Sequence, residues 1–255
     1  PDNYISTLFM DVNGDIWLGT VNGGLARYQR ELDRFVVLPG VLQGSVYGMV
    51  GDGGNGIWVA TQAGLEHISL EGKVLERLRH DPRQPDSLPD SRVQAVLLSN
   101  DGWLWVGTYR GVVRRPVLEK GSGGFRPLDL NAPSIPAALA NHRASAAAPT
   151  LLSAASAGAG AGPGHEQPPV WRLYQDSGER VWIGTGTRGA YWIERGGTQA
   201  HALAPVGKGE TSTDYVDSFA ETGDGRLWVG TYGQGILELS LNQVQAGQPV
   251  PQRRI

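Results

Sequence analysis

The chain of 255 residues contains no cysteine, which rules out disulfides, zinc–thiolate sites and a cysteine nucleophile. That absence leaves the compartment open, because a cysteine-free chain suits cytoplasm and periplasm alike. No apolar run approaches the ~20 residues that a membrane-spanning helix needs. There is no excess of positive charge: 22 Lys and Arg stand against 25 Asp and Glu, a net charge of −3. A nucleic-acid partner, which wants a basic face, is therefore not expected. His-Glu-x-x-His, Gly-x-Ser-x-Gly and Walker loops are all missing. The five histidines, His67, His80, His142, His165 and His201, fall on third or fourth strands, a connector or an insertion. The first residue is Pro1, with no Met or signal peptide, and the chain reads as a piece of a larger protein.

What is abundant is glycine, at 37 residues about twice the ordinary ~7%. The stretch VQAVLLSNDGWLWVGTYRGV, 93–112, shows why. An apolar run meets the turn Asn100-Asp101-Gly102, and a second run leads to Gly107-Thr108, Gly111 and a third run. Asp-Gly between apolar runs signals a hairpin, since glycine supplies the positive φ of a tight turn without a Cβ clash.

This pattern occurs five times, centred on Trp17, Trp58, Trp105, Trp182 and Trp228. Twelve residues before each Trp stands a β-branched residue: Ile5, Val46, Val93, Val170 and Val216. Nine before it is another apolar residue: Leu8, Met49, Val96, Leu173 and Phe219. After each Trp come an aliphatic, Gly or Ala, and Thr; a Gly-hydrophobe or Gly-Ala pair follows a short loop. The Trp residues are spaced by 41, 47, 77 and 46 positions. A period of ~40–50 residues fits a four-stranded propeller blade. The expected fold is all-β: a β-propeller of five four-stranded blades at 1–40, 41–90, 91–130, 170–207 and 214–255. Each Trp then fills the wedge between blades, and truncating a buried ring of that size costs ~3–5 kcal/mol. The Gly-Thr after it is expected to permit close strand approach and a hydroxyl contact across the blade.

Residues 131–169 are mostly Ala, Gly, Pro and Ser without aromatics, and read as a disordered insertion with a short helix near 137–148. Removing about 30 residues there restores the usual period.

The connector and hairpin of blade three, His80 to Val112, and the run Asp11 to Thr20 with Gly24-Leu25, resemble the two-component regulator propeller repeat. Ser87-Leu88, Val93 and the run Gly102 to Thr108 fill its pattern. The resemblance implies the extracytoplasmic, periplasmic sensor part of a bacterial protein anchored in the inner membrane, with a histidine kinase or diguanylate cyclase output outside this chain. It also implies an incomplete arc of a ring of about seven blades. Homodimerisation through the parent protein, and a segment that itself lies outside the membrane, belong to the same expectation.

Antiparallel geometry puts the start of the first strand, the end of the second and the start of the third at one end of each blade. A small-molecule ligand, carbohydrate among the candidates, is expected there. The residues proposed to meet it are Asn22, Gln62, Arg92, Tyr109, Arg110, Arg172, Arg188, Asp214, Tyr215, Tyr232 and Gln234. Rings stack on sugars, while amides and guanidinium groups make directional bonds. No cofactor, metal site or catalytic residue is expected: Asp11 to Asp15 lacks the glutamate of a calcium loop. A protein-binding scaffold is the alternative reading, and a propeller lyase a third. The lyase would need a general base near the channel, and no histidine falls there.

Overall fold

The computed structural model describes residues 3–41, 44–117, 123–130, 167–203, 215–233, 235–246, 248 and 250–255. The insertion expected at 131–169 falls almost wholly outside them, and the short helix expected near 137–148 wholly so. Asp214 and Gln234 are outside as well.

Five four-stranded sheets follow one another along the chain, each built of neighbouring antiparallel strands in sequence order. The first holds Ile5–Met10, Ile16–Thr20, Leu25–Gln29 and Arg34–Val37. The second holds Val46–Gly51, Gly56–Thr61, Gly64–Ser69 and Val74–Leu78. The third holds Val93–Leu98, Trp103–Thr108, Gly111–Pro116 and the two-residue edge strand Arg126–Pro127. The fourth holds Val170–Gln175, Val181–Thr185, Ala190–Ile193 and His201–Ala202. The fifth holds Val216–Thr222, Arg226–Thr231, Gly235–Ser240 and Gln252–Arg254. First strands of adjacent sheets lie against one another, so they form the inner side of the arc. The arrangement is a β-propeller of five blades that does not close on itself.

The core is divided into four clusters, and each lies between two blades. Trp17 packs with Val46, Ile57 and Val59 of the following blade. Trp58 packs with Val93, Leu104 and Val106. Trp105 packs with Val170, Val181 and Ile183, and Trp182 with Val216, Leu227 and Val229. At three of these interfaces a glycine two after the Trp leaves room for the approach, and blade two has the small Ala60 there. A Cβ on Gly19, Gly107 or Gly184 would sit 2.7, 2.6 or 2.8 Å from the Val46, Val170 or Val216 side chain.

The repeated threonine has a different task from the expected contact across the blade. Its hydroxyl donates to the carbonyl of the glycine that opens the third strand, at 2.7–3.0 Å in all five blades. In four blades it also accepts an amide within the loop: Gly23, Ala63, Arg110 and Arg188. The contact is local because the short loop brings that carbonyl, which in blades one and four also accepts the threonine amide, and a loop N–H beside the hydroxyl.

Candidate functional site at the inner end of blades three to five

Every first strand carries a bulge at the same place. The pairing steps over one residue, eleven before the Trp: Ser6, Tyr47, Gln94, Trp171 and Asp217. A bulge leaves its extra residue out of the ladder and re-aims the side chain. Because first strands line the inner side, the repeat places one freely variable side chain per blade near the loop that follows the threonine.

That loop is fixed to the strand start. The residue after each Thr donates its amide to the carbonyl of the residue before the first strand: Val21 to Tyr4, Gln62 to Ser45, Tyr109 to Arg92, Gly186 to Pro169 and Tyr232 to Tyr215, at 2.8–3.2 Å. Strand start, bulge and loop thus form one rigid end in each blade.

On blades three to five these ends join through side chains. The Arg92 guanidinium lies 4.1 Å from the Tyr109 ring centroid. Tyr109 meets Trp171 edge to face at 5.0 Å, Trp171 stacks on Tyr215 at 5.4 Å, and Tyr215 meets Tyr232 at 5.9 Å. Tyr232 ends the row and is 81% exposed. Gly186 is required here, since a Cβ on it would fall 2.0 Å from Trp171 Nε1. The same Nε1 is buried and has no hydrogen-bond partner. An orphan donor of this kind costs ~1–3 kcal/mol.

Two ion pairs flank the row. Asp90 takes Arg92 in a bidentate grip, Nε to Oδ1 at 3.0 Å and Nη2 to Oδ2 at 2.6 Å, and the Arg110 Nε lies 3.9 Å away. Burial pushes the Asp90 carboxyl up, but the Arg92 hydrogen bonds and charge outweigh it and hold the group below the usual range. Arg172 pairs with Asp217 at 3.3 Å, both half open to water. Burial raises the Tyr109 and Tyr215 hydroxyls; Asp217 adds to the rise at Tyr215, while Arg172 opposes it. Both phenols therefore stay neutral, as donors and acceptors.

Of the residues singled out from the sequence, Arg92, Tyr109, Arg110, Tyr215 and Tyr232 come together in this row, with Arg172 beside it. Gln62 is not among them; its amide oxygen accepts the Ser45 hydroxyl at 3.5 Å in blade two. Arg188 engages the Tyr191 hydroxyl of its own blade. Asn22 sits in the blade-one loop. Trp171, Asp90 and Asp217 belong to the same site and are not among the residues that the repeat pattern singles out. One signal was available: the position after the repeated β-branched residue varies freely, as Ser, Tyr, Gln, Trp and Asp, between fixed neighbours.

The arrangement offers ring faces, neutral hydroxyls and guanidinium groups. Among the described residues no group of three or more His, Asp or Glu is placed to hold a metal ion.

A family described as the two-component regulator propeller matches residues 1–22, 87–110 and 209–233. No curated protein sequence matches the chain. Among solved structures, the extracellular domain of a protein described as a hybrid two-component system from B. thetaiotaomicron is similar at 20% identity and TM-score 0.60, over 95% of this chain and 34% of that one. Virginiamycin B lyase from Staphylococcus aureus, an inactive variant with quinupristin, is similar at 14% identity and TM-score 0.63, over 100% of this chain and 71% of that one. The β-propeller domain of Cps50 (Swd1) from Myceliophteria thermophila gives 13% identity and TM-score 0.59, over 98% and 72%. This chain therefore spans about a third of the length of the first of these structures. At these identities the likeness is one of fold.

Proposed function

We propose that this chain, which carries two-component regulator propeller repeats, is the extracytoplasmic ligand-binding sensor module of a bacterial membrane-bound signalling protein. Its output, a histidine kinase or diguanylate cyclase, belongs to the parent protein, which is anchored in the inner membrane. The ligand is a small molecule, with carbohydrate the best chemical fit, and it binds at the inner end of blades three to five. The module itself carries out no catalysis.

The observation that supports this reading is the row Arg92–Tyr109–Trp171–Tyr215–Tyr232. Tyr232 offers an open ring face for a sugar to stack on. The flanking Asp90–Arg92 and Asp217–Arg172 pairs, both partly open to water, supply directional bonds for hydroxyl groups. Row and pairs span three blades, so a ligand there would alter how those blades sit against one another, which is what a sensor must transmit.

A thermal-shift and calorimetric screen with oligosaccharides, organic acids and peptides tests this. Saturable stabilisation by a small molecule is the expected result. If only a protein partner raises the melting temperature, the sensor reading fails and the scaffold reading takes its place.

A further inference from the structure

Across each blade, the repeat Trp, its partner on the third strand and that residue's partner on the fourth form one row on the face that carries the Trp. In blade one the middle of the row is Arg27, and Asp15 pairs with it at 3.1 Å. In blade two it is His67, held by Asp52 at 2.8 Å. In blade five it is Glu238, which takes both Arg226 and Arg253. Each of these groups has a partner that complements it.

Blade three is built otherwise. Its row is Trp105–Arg114–Arg126, with two guanidinium groups on directly opposed strand positions. Like charges so placed repel, since opposed side chains stand only ~5 Å apart at Cβ. The position that holds Asp15 in blade one is here Trp103. Its ring centroid lies 4.4 Å from the Arg114 guanidinium carbon and 5.3 Å from that of Arg126. Trp105 flanks Arg114 at 4.9 Å. Arg114 is 5% exposed, and its Nη1 is sealed from water without a hydrogen-bond partner. Among the described residues neither guanidinium forms an ion pair, and Asp101 in the neighbouring turn acts on Arg114 only at a distance. Arg126, by contrast, is open to water. Indole faces attract a cation but carry no net charge. Two positive charges, one of them buried, are left uncompensated, and buried charges in folded proteins are ordinarily paired.

We infer that Arg114, Arg126 and Trp103 form an anion site at the outer, hairpin side of blade three, for a doubly charged oxyanion: a phosphoryl or sulfate group. The anion meets Arg126 on the open side, where a guanidinium fork matches two oxygens. Arg114, behind it, adds its charge through protein rather than water, so the attraction is screened less. A double negative charge balances both guanidinium groups, whereas a carboxylate leaves one unbalanced. The site lies away from the Thr108–Tyr109 end of the blade and does not rest on the ligand reading above.

Calorimetry and thermal melts with inorganic phosphate, sulfate and acetate test it, at mildly alkaline pH, where phosphate is a dianion, and at ionic strength held constant with sodium chloride. Saturable binding of phosphate and of sulfate is expected, with acetate weaker by about tenfold or more. Phosphate and sulfate also stabilise folded proteins generally, by exclusion from their surface, so the variants carry the decision. Arg126→Gln changes an exposed side chain on a two-residue edge strand, so folding is retained. It is expected to weaken phosphate binding by about tenfold or more. Arg114→Met removes the buried charge and keeps a chain to pack between the indoles. Without anion its melting temperature is expected to hold or rise, and its response to phosphate to vanish. Should it not fold, Arg126→Gln decides alone. A phosphate response that R126Q shares undiminished with the unaltered chain, or an acetate response equal to that of phosphate, overturns the inference. So does an unaltered chain that binds none of the three.

Discussion

The indole N–H of Trp17 donates to Asp11 Oδ2 at 2.8 Å, and that of Trp182 to Asp176 at the same distance. Ser99 accepts from Trp105 at 3.0 Å. In blades one, three and four the residue six before the Trp thus satisfies the buried ring, while its other oxygen, where it is Asp, caps the hairpin amides. Asp176 does more, because it also holds the buried Arg180 at 2.7 Å. Asp11→Ala is expected to cost ~1–3 kcal/mol, the price of an orphaned donor. Asp176→Ala also strands a buried guanidinium and is expected to cost ~3–5 kcal/mol. Urea titration of both variants measures the difference. Blade two departs from the rule: Asp52 turns to His67 Nε2 at 2.8 Å, His67 stacks on Trp58, and the Trp58 N–H is left without a partner. Burial pushes the Asp52 carboxyl up, yet the bonds from His67 and the amides of Gly54 and Gly56 outweigh it and hold the group below its usual value. The sign follows: this contribution to stability is complete above the unfolded carboxylate value of ~3.9 and is lost as pH falls through the lower folded value. Asp52→Asn is expected to flatten that part of the acid-unfolding curve, followed by tryptophan fluorescence.

At the scale of the blade, the structure explains which features the sequence could show. Trp, Gly and Thr recur because each solves a problem every blade shares: filling the wedge, admitting the next strand, closing a loop. Such residues stand out in any comparison of copies. Edge strands do not, since Arg126–Pro127 and Gln252–Arg254 are only two and three residues long. Nor do the bulges, because an extra residue in a strand leaves no mark of its own in composition. The glycine that admits the next strand yields a test internal to one protein. A methyl group on Gly184 would meet Val216 at 2.8 Å and Phe219 at 3.2 Å across a packed interface. Gly184→Ala is expected to destabilise by ~1–3 kcal/mol, as overpacking does. Gly230→Ala meets only the Ser218 hydroxyl, which can rotate away. It is expected to cost far less, or to gain from the lower entropy of the unfolded chain. Thermal melts of the two variants side by side decide it.

At the scale of the whole molecule, the inner ends of the blades are where repetition stops constraining the residues. Tyr109 and Tyr232 were legible as one pair, since both follow the repeated Thr. The meeting of Tyr109 with Trp171 was not, because it depends on a bulge in one blade and a loop in another, and on Gly186 leaving room for the ring. Trp171 is therefore the residue on which stability and binding should diverge. Phenylalanine keeps a ring to stack on Tyr215 and removes the indole N–H that has no partner. In the free protein, Trp171→Phe loses some ring contact but relieves an orphaned donor worth ~1–3 kcal/mol, so the melting temperature should hold or rise. With ligand present the same change shrinks the ring between Tyr109 and Tyr215, and ~0.5–1.5 kcal/mol of lost aromatic contact is about two- to twelvefold in affinity. Calorimetry beside a thermal melt reads both quantities on one sample. A variant that loses stability without losing affinity would assign Trp171 to packing alone, and the binding surface would then have to lie elsewhere on the arc.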